Sequence, residues 1–175
     1  VPGHGRSEAT LALWDDLCAR LPREALQSAW EDARLETHGD QVLAVAVDGA
    51  GTGCLTAGLD ATVRLWDLPS RRLEATLSGH EGAVTGVVFA GAGRAVSGGR
   101  DRTARLWDLE AEDKGTTARV LSGHEGTVSA VAFSPDGRWL ATASGDHTAR
   151  LWGLEAEDKG AAPRVLSGHG EHLTD

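Results

Sequence analysis

The residues most suggestive of chemistry are a histidine, a hydroxyl and an aspartate: His80, Ser97 and Asp101 could serve as base, nucleophile and orienting carboxylate. The same order recurs as His38, Thr56, Asp60 and as His124, Thr142, Asp146. A tryptophan follows each set, at Trp66, Trp107 and Trp152. One catalytic centre needs one such set, not three, and no oxyanion-hole loop accompanies any of them. Other chemical signals are weaker. Gly49-Ala50-Gly51-Thr52-Gly53 lacks the Gly-Lys-Ser/Thr ending of a phosphate loop and reads as a turn. His169 and His172 could pair as metal ligands, but His169 also begins another copy of the recurring set, and no metal site is expected. Gly3-His4-Gly5-Arg6-Ser7 is not matched by a G-x-S-x-G elbow anywhere in the chain. His147 falls in a turn and reads as a solvated side chain.

Bulk properties narrow the partners. The net charge of −9 argues against nucleic acid and against an anionic membrane surface, since both need clustered Lys and Arg. Cys18 and Cys54 have neither metal nor redox spacing and read as small hydrophobes in a reducing compartment. No apolar run approaches the ~18 residues of a membrane span, and no signal-peptide pattern opens the chain, so a cytoplasmic location is expected. The chain starts at Val1 rather than Met, which fits a piece of a longer protein or a trimmed product. Six Trp against two Phe and no Tyr give tryptophan a special, recurring place.

The elements that position these residues follow from an internal repeat. Copies begin at His38, His80 and His124, and a fourth is cut short at His169, with steps of 42, 44 and 45 residues. From His to Trp the distance is 28, 27 and 28, so the frame is fixed and the connectors vary. Each copy carries short β-branched runs with the period of a strand, as in Val84–Phe89 and Val128–Phe133. Ser134-Pro135-Asp136-Gly137 is a tight turn before a second strand at 138–143. A third follows at 148–152 and a fourth near 164–166. Four short antiparallel strands per copy describe one blade of a β-propeller.

The GH…D-x-T-x-R-L-W-D pattern resembles the WD-repeat family over roughly residues 37–170. The resemblance implies that His38, Thr56, Asp60, Trp66, with His80, Ser97, Asp101, Trp107 and His124, Thr142, Asp146, Trp152, form a hydrogen-bonded relay inside each blade. The chemistry suits it: indole N–H only donates, and Asp only accepts. The pattern weakens where Thr37 replaces Gly before His38, where the first copy lacks the Ser-Pro-Asp-Gly turn, and where Gly153 replaces the Asp after Trp152. The expected fold is all-β: a partial propeller of three full four-stranded antiparallel blades and the start of a fourth, over residues 37–175. Residues 1–36 form a separate N-terminal segment. Leu11, Trp14, Leu17, Cys18 and Leu21, then Leu26, Ala29, Trp30 and Ala33, follow helical spacing, with a decayed blade as the rival reading.

Three blades and a fragment do not close a ring of the usual four to eight. Further blades or self-association are therefore expected to complete it. The resemblance implies a protein-interaction scaffold without catalysis or cofactors, its partner a protein or peptide. The alternative is a regulatory or sensor arm of a multidomain signalling ATPase or kinase. The family's binding positions map onto Gln41, Leu43 and Leu59; Ala83, Thr85 and Arg100; Thr127, Ser129 and Gly145, all expected to be exposed. Leu-Glu-Ala-Glu-Asp-Lys-Gly at 109–115, repeated at 154–160 with net −2 each, reads as a solvated connector or as an acidic rim for a basic partner.

Overall fold

A computed structural model of the chain describes residues 38–91, 93–115, 118–154 and 162–168. The chain divides into two units, Val1–Leu35 and Glu36–Asp175, and every described residue belongs to the second. The helical expectation for the N-terminal segment, Cys18, and the His169/His172 pair lie outside the described residues.

Among the described residues, twelve strands form three sheets, each a four-stranded antiparallel meander. Blade 1 contains β1 (Val42–Val47), β2 (Gly53–Gly58), β3 (Val63–Asp67) and β4 (Arg72–Leu77). Blade 2 contains β5 (Val84–Phe89), β6 (Arg94–Gly99), β7 (Ala104–Asp108) and β8 (Ala118–Leu121). Blade 3 contains β9 (Val128–Phe133), β10 (Trp139–Ser144), β11 (Thr148–Gly153) and β12 (Arg164–Ser167). The expected partial propeller of three blades is what the chain forms. Strands arise here because β-branched and small residues alternate between two covered faces, while Gly-rich turns separate the runs. Gly137 shows the turn chemistry: its φ is 71°, and its N–H donates to the Ser134 carbonyl at 2.9 Å. The glycine-rich stretch is likewise a turn, with the Gly51 and Thr52 N–H groups held by Asp48.

The innermost strands β1, β5 and β9 lie beside one another, and the core sits between blades rather than within them. Between blades 1 and 2, Leu55, Leu65 and Leu77 meet Val87, Ala95, Trp107 and Leu109. Between blades 2 and 3, Val96, Ala104 and Leu121 meet Leu140, Trp152 and Leu154. Trp107 is fully buried, worth roughly 4–6 kcal/mol of apolar burial before entropy losses. The repeat makes the ends conspicuous. Leu77, Leu121 and Leu166 occupy the same place in successive blades, yet they are 1%, 4% and 56% exposed. Val45 is 41% exposed where its blade 2 counterpart, Val87, is 9%. Among the described residues, nothing covers these two outer faces.

The acidic insert of blade 2 is tied to its neighbour. The Ser78 N–H donates to the Gly115 carbonyl at 3.0 Å, and Lys114 pairs with Glu74 at 2.7 Å on the outer strand of blade 1. It therefore straps blade 2 to blade 1, while Glu110, Glu112 and Asp113 remain exposed. The second copy of this insert lies largely outside the described residues. Among the described residues, no helix is long and apolar enough to cross a membrane.

Candidate functional site

Each blade pairs its second strand with its third so that the hydroxyl and the tryptophan meet from adjacent strands, while the histidine enters ahead of the inner strand. In blade 2, the Trp107 Nε1–H donates to Ser97 Oγ at 2.8 Å, and Ser97 lies 2.7 Å from His80 Nε2. His80 Nδ1 is 2.8 Å from Asp101. Because the indole can only donate, the hydroxyl proton must go to Nε2, which leaves the Nδ1–H for the carboxylate. Blade 1 repeats the chain from Trp66 to Thr56 (3.0 Å), His38 (3.0 Å) and Asp60 (2.8 Å). Blade 3 runs from Trp152 to Thr142 (3.0 Å), His124 (2.8 Å) and Asp146 (2.8 Å). The structure brings all twelve residues into three relays. Ser97 is fully buried with its hydroxyl engaged on both sides, which removes it as a nucleophile.

Two further positions of each copy complete these relays, and sequence reasoning gave neither a role. The threonine two residues after each Asp donates back to it: Thr62 Oγ1 at 2.9 Å, Thr103 at 2.9 Å and Thr148 at 2.7 Å. In blades 2 and 3 the backbone N–H groups of Glu81 and Glu125 add to this at 3.1 and 2.9 Å. In blades 2 and 3 the arginine of the R-L-W segment packs against the glycine before that blade's own histidine. A Cβ on Gly79 would stand 2.6 Å from Arg105, and one on Gly123 would stand 2.5 Å from Arg150. Gly79 and Gly123 also have φ of 143° and 137°, so the backbone conformation requires glycine there, and an added Cβ would also have to displace the guanidinium. The T-x-R spacing was the available signal, but its meaning depends on contacts between strands.

Electrostatics follow the relay. Burial pulls the carboxyls of Asp60, Asp101 and Asp146 upward. Hydrogen bonds from histidine, threonine and backbone N–H groups outweigh burial and hold all three below the usual carboxylate range. Burial pushes the His80 imidazole down; Asp101 opposes this, and the Arg105 charge reinforces it. His80 is therefore neutral at pH 7, as its two hydrogen bonds require. Burial raises the Cys54 thiol, helped by Asp48, so it is an inert protonated side chain.

Above the relays lie the nine candidate binding residues. The residue before each Asp donates its N–H to the inner strand: Leu59 to Gln41 (2.9 Å), Arg100 to Ala83 (2.8 Å) and Gly145 to Thr127 (2.9 Å). The register of each inner strand slips by one residue at Leu43, Thr85 and Ser129, a bulge in the same place in every blade. A bulge re-aims the side chain of its extra residue. Gln41, Leu43 and Arg100 are exposed, and Leu59, Thr85, Thr127, Ser129 and Gly145 are half-buried. Ala83 corrects the expectation of exposure: it is buried, because β5 runs between β1 and β9. The Thr85 hydroxyl is also spoken for, bonding the Gly98 carbonyl at 3.1 Å and the Val128 carbonyl of blade 3.

Three repeated relays on four-stranded blades define a class of protein, and comparison with known proteins gives it a family. Residues 31–67, 71–108 and 115–153 match the family described as WD domain, G-beta repeat. These stretches take in more than half of the chain, and the chain belongs to the WD-repeat family. The last two each begin on or just ahead of an outer strand and end on the third strand of the next blade, so each repeat links two blades covalently. The chain is 46% identical over 54 residues to a probable E3 ubiquitin ligase complex SCF subunit, sconB, of Talaromyces stipitatus, covering 31% of this chain and 8% of that protein. It is 38% identical over 56 residues to nuclear distribution protein nudF 2 of Talaromyces marneffei, covering 32% and 12%. Human striatin-3 is 32% identical over 97 residues, covering 47% and 12%. The chain thus spans about a tenth of the length of these relatives.

Proposed function

We propose that this chain is a non-catalytic protein-interaction scaffold whose partner sits on the face where the Asp-containing turns and the bulged starts of β1, β5 and β9 converge. One observation carries the reading: the relay beneath this face repeats from blade to blade, while the rim above it varies. The position before Asp is Leu59, Arg100 and Gly145 in turn, and the bulge position is Leu43, Thr85 and Ser129. A fixed frame carrying variable side chains provides recognition without disturbing the fold. One relative is named as a subunit of a ligase complex, a setting in which proteins are held together. The test takes a partner identified by affinity capture and measures its binding calorimetrically. Leu43→Asp and Leu59→Asp should each weaken it at least tenfold without moving the melting temperature. Unchanged affinity in both, with loss on neutralising Glu110, Glu112 and Asp113, would transfer the site to the acidic side.

A further inference from the structure

A cleft of about 450 Å³ opens between the β6–β7 turn of blade 2 and the segment that leads into blade 3. Arg100, Arg102, Glu81 and Asp101 line one side, and Ser122 and His124 the other. Arg100 and Arg102 are exposed, and neither guanidinium makes an ion pair or hydrogen bond among the described residues. The equivalent turns carry Leu59 and Ala61 in blade 1, and Gly145 and His147 in blade 3. Backbone conformation does not distinguish them, since Ala61, Arg102 and His147 share φ near 61–66°. Only the side chains differ, and only blade 2 places two arginines there.

The charges of the cleft select the ligand. Asp101 is turned inward, its side chain 8% exposed, with its oxygens taken by His80, Thr103 and the Glu81 N–H. Facing solvent are the guanidiniums of Arg100 and Arg102 and the carboxylate of Glu81; with the inward-turned Asp101 the four charges sum to zero, on a chain of net −9. One incoming carboxylate adds a single negative charge and matches the fork of a guanidinium. A phosphate dianion would leave surplus negative charge beside Glu81 and Asp101.

We propose that this cleft receives one Asp or Glu side chain of the protein partner, gripped by Arg100 and Arg102; this rests on the scaffold reading above. The net charge of −9 repels the partner's carboxylates elsewhere, so the contact fixes register as well as adding affinity.

The test titrates acetyl-Gly-Glu-Gly-amide into the isotope-labelled 175-residue chain and follows the arginine Nε–Hε signals by NMR, with Gln and phosphoserine peptides in parallel. The Glu peptide should shift Arg100 and Arg102 saturably, at least fivefold more tightly than the Gln peptide. Arg100→Gln with Arg102→Gln should abolish the accompanying shifts of Ser122 and Gly123 at unchanged melting temperature, and the Lys variants should retain part of them. Absence of a saturable shift, equal response to the Gln peptide, or tighter binding of phosphoserine would each overturn the proposal. The partner separates this failure from failure of the scaffold reading. Full affinity in the Gln variants with loss at Leu43 and Leu59 refutes the cleft alone, whereas full affinity in all of these variants refutes the binding face itself.

Discussion

Ser97→Ala isolates the relay from packing better than any other change. The substitution removes one oxygen from a fully buried site and leaves the backbone undisturbed. Two groups then lose their partner: the Trp107 indole N–H at 2.8 Å and His80 Nε2 at 2.7 Å. Each buried orphan costs about 1–3 kcal/mol, so a loss of about 2–6 kcal/mol is expected. For a unit of this size that lowers the melting temperature by roughly 6–18 °C. The molecule supplies its own control, since threonine holds this place in the other two blades as Thr56 and Thr142. Ser97→Thr keeps the hydroxyl and should cost no more than about 1 kcal/mol for the added methyl. Urea unfolding followed by tryptophan fluorescence measures both. Ser97→Ala within about 0.5 kcal/mol of the parent, with Ser97→Thr the more damaging, would show that volume rather than hydrogen bonding governs the site.

Three further outcomes follow from the structure. Gly79→Ala and Gly123→Ala should each destabilise by about 1–3 kcal/mol, because they combine a glycine-only conformation with an arginine in the way. Gly137→Ala, strained at φ 71° but in open space, should cost about 1 kcal/mol, and equal losses at all three sites would contradict this ranking. Stability should fall as pH is lowered. The folded pKa of His80 lies below its unfolded value near 6.5, so the unfolded chain binds the proton first and stability declines from about pH 6.5 downward. The depressed carboxyls of Asp60, Asp101 and Asp146 add a second decline below about pH 4, as their contribution is lost while pH falls toward their folded values. Urea midpoints that stay level or rise between pH 7.5 and 5 would refute the first decline. Finally, exposed Val45, Val47, Val165 and Leu166 on the outer blades should make the chain self-associate. Light scattering should show a smaller species for Leu166→Asp, and a stable monomer of the parent chain would defeat the expectation.

The period of the chain made the fold legible, because residues of one copy constrain the reading of the next. The three Trp, His and Asp columns stood out for the same reason. What escaped was whatever depends on a neighbouring strand or blade. Thr103 and Arg105 sat in plain view in the D-x-T-x-R segment, but their roles require knowing that Asp101 turns back toward Thr103 and that Arg105 lies over Gly79. Ala83 read as exposed because one copy does not show that β5 is flanked on both sides. The acidic insert read as a solvated connector, with an acidic rim as the alternative. Its attachment through Gly115 to Ser78 joins two blades, and no single copy contains both.

Hydrogen exchange on the chain alone and bound to its captured partner tests the scaffold reading most directly. Binding should slow exchange at the turns 59–62, 100–103 and 145–148 and at the bulged starts of β1, β5 and β9, leaving the outer strands β4, β8 and β12 unchanged. Protection confined to the outer strands and the insert at 109–115, with the three turns exchanging freely, would contradict it.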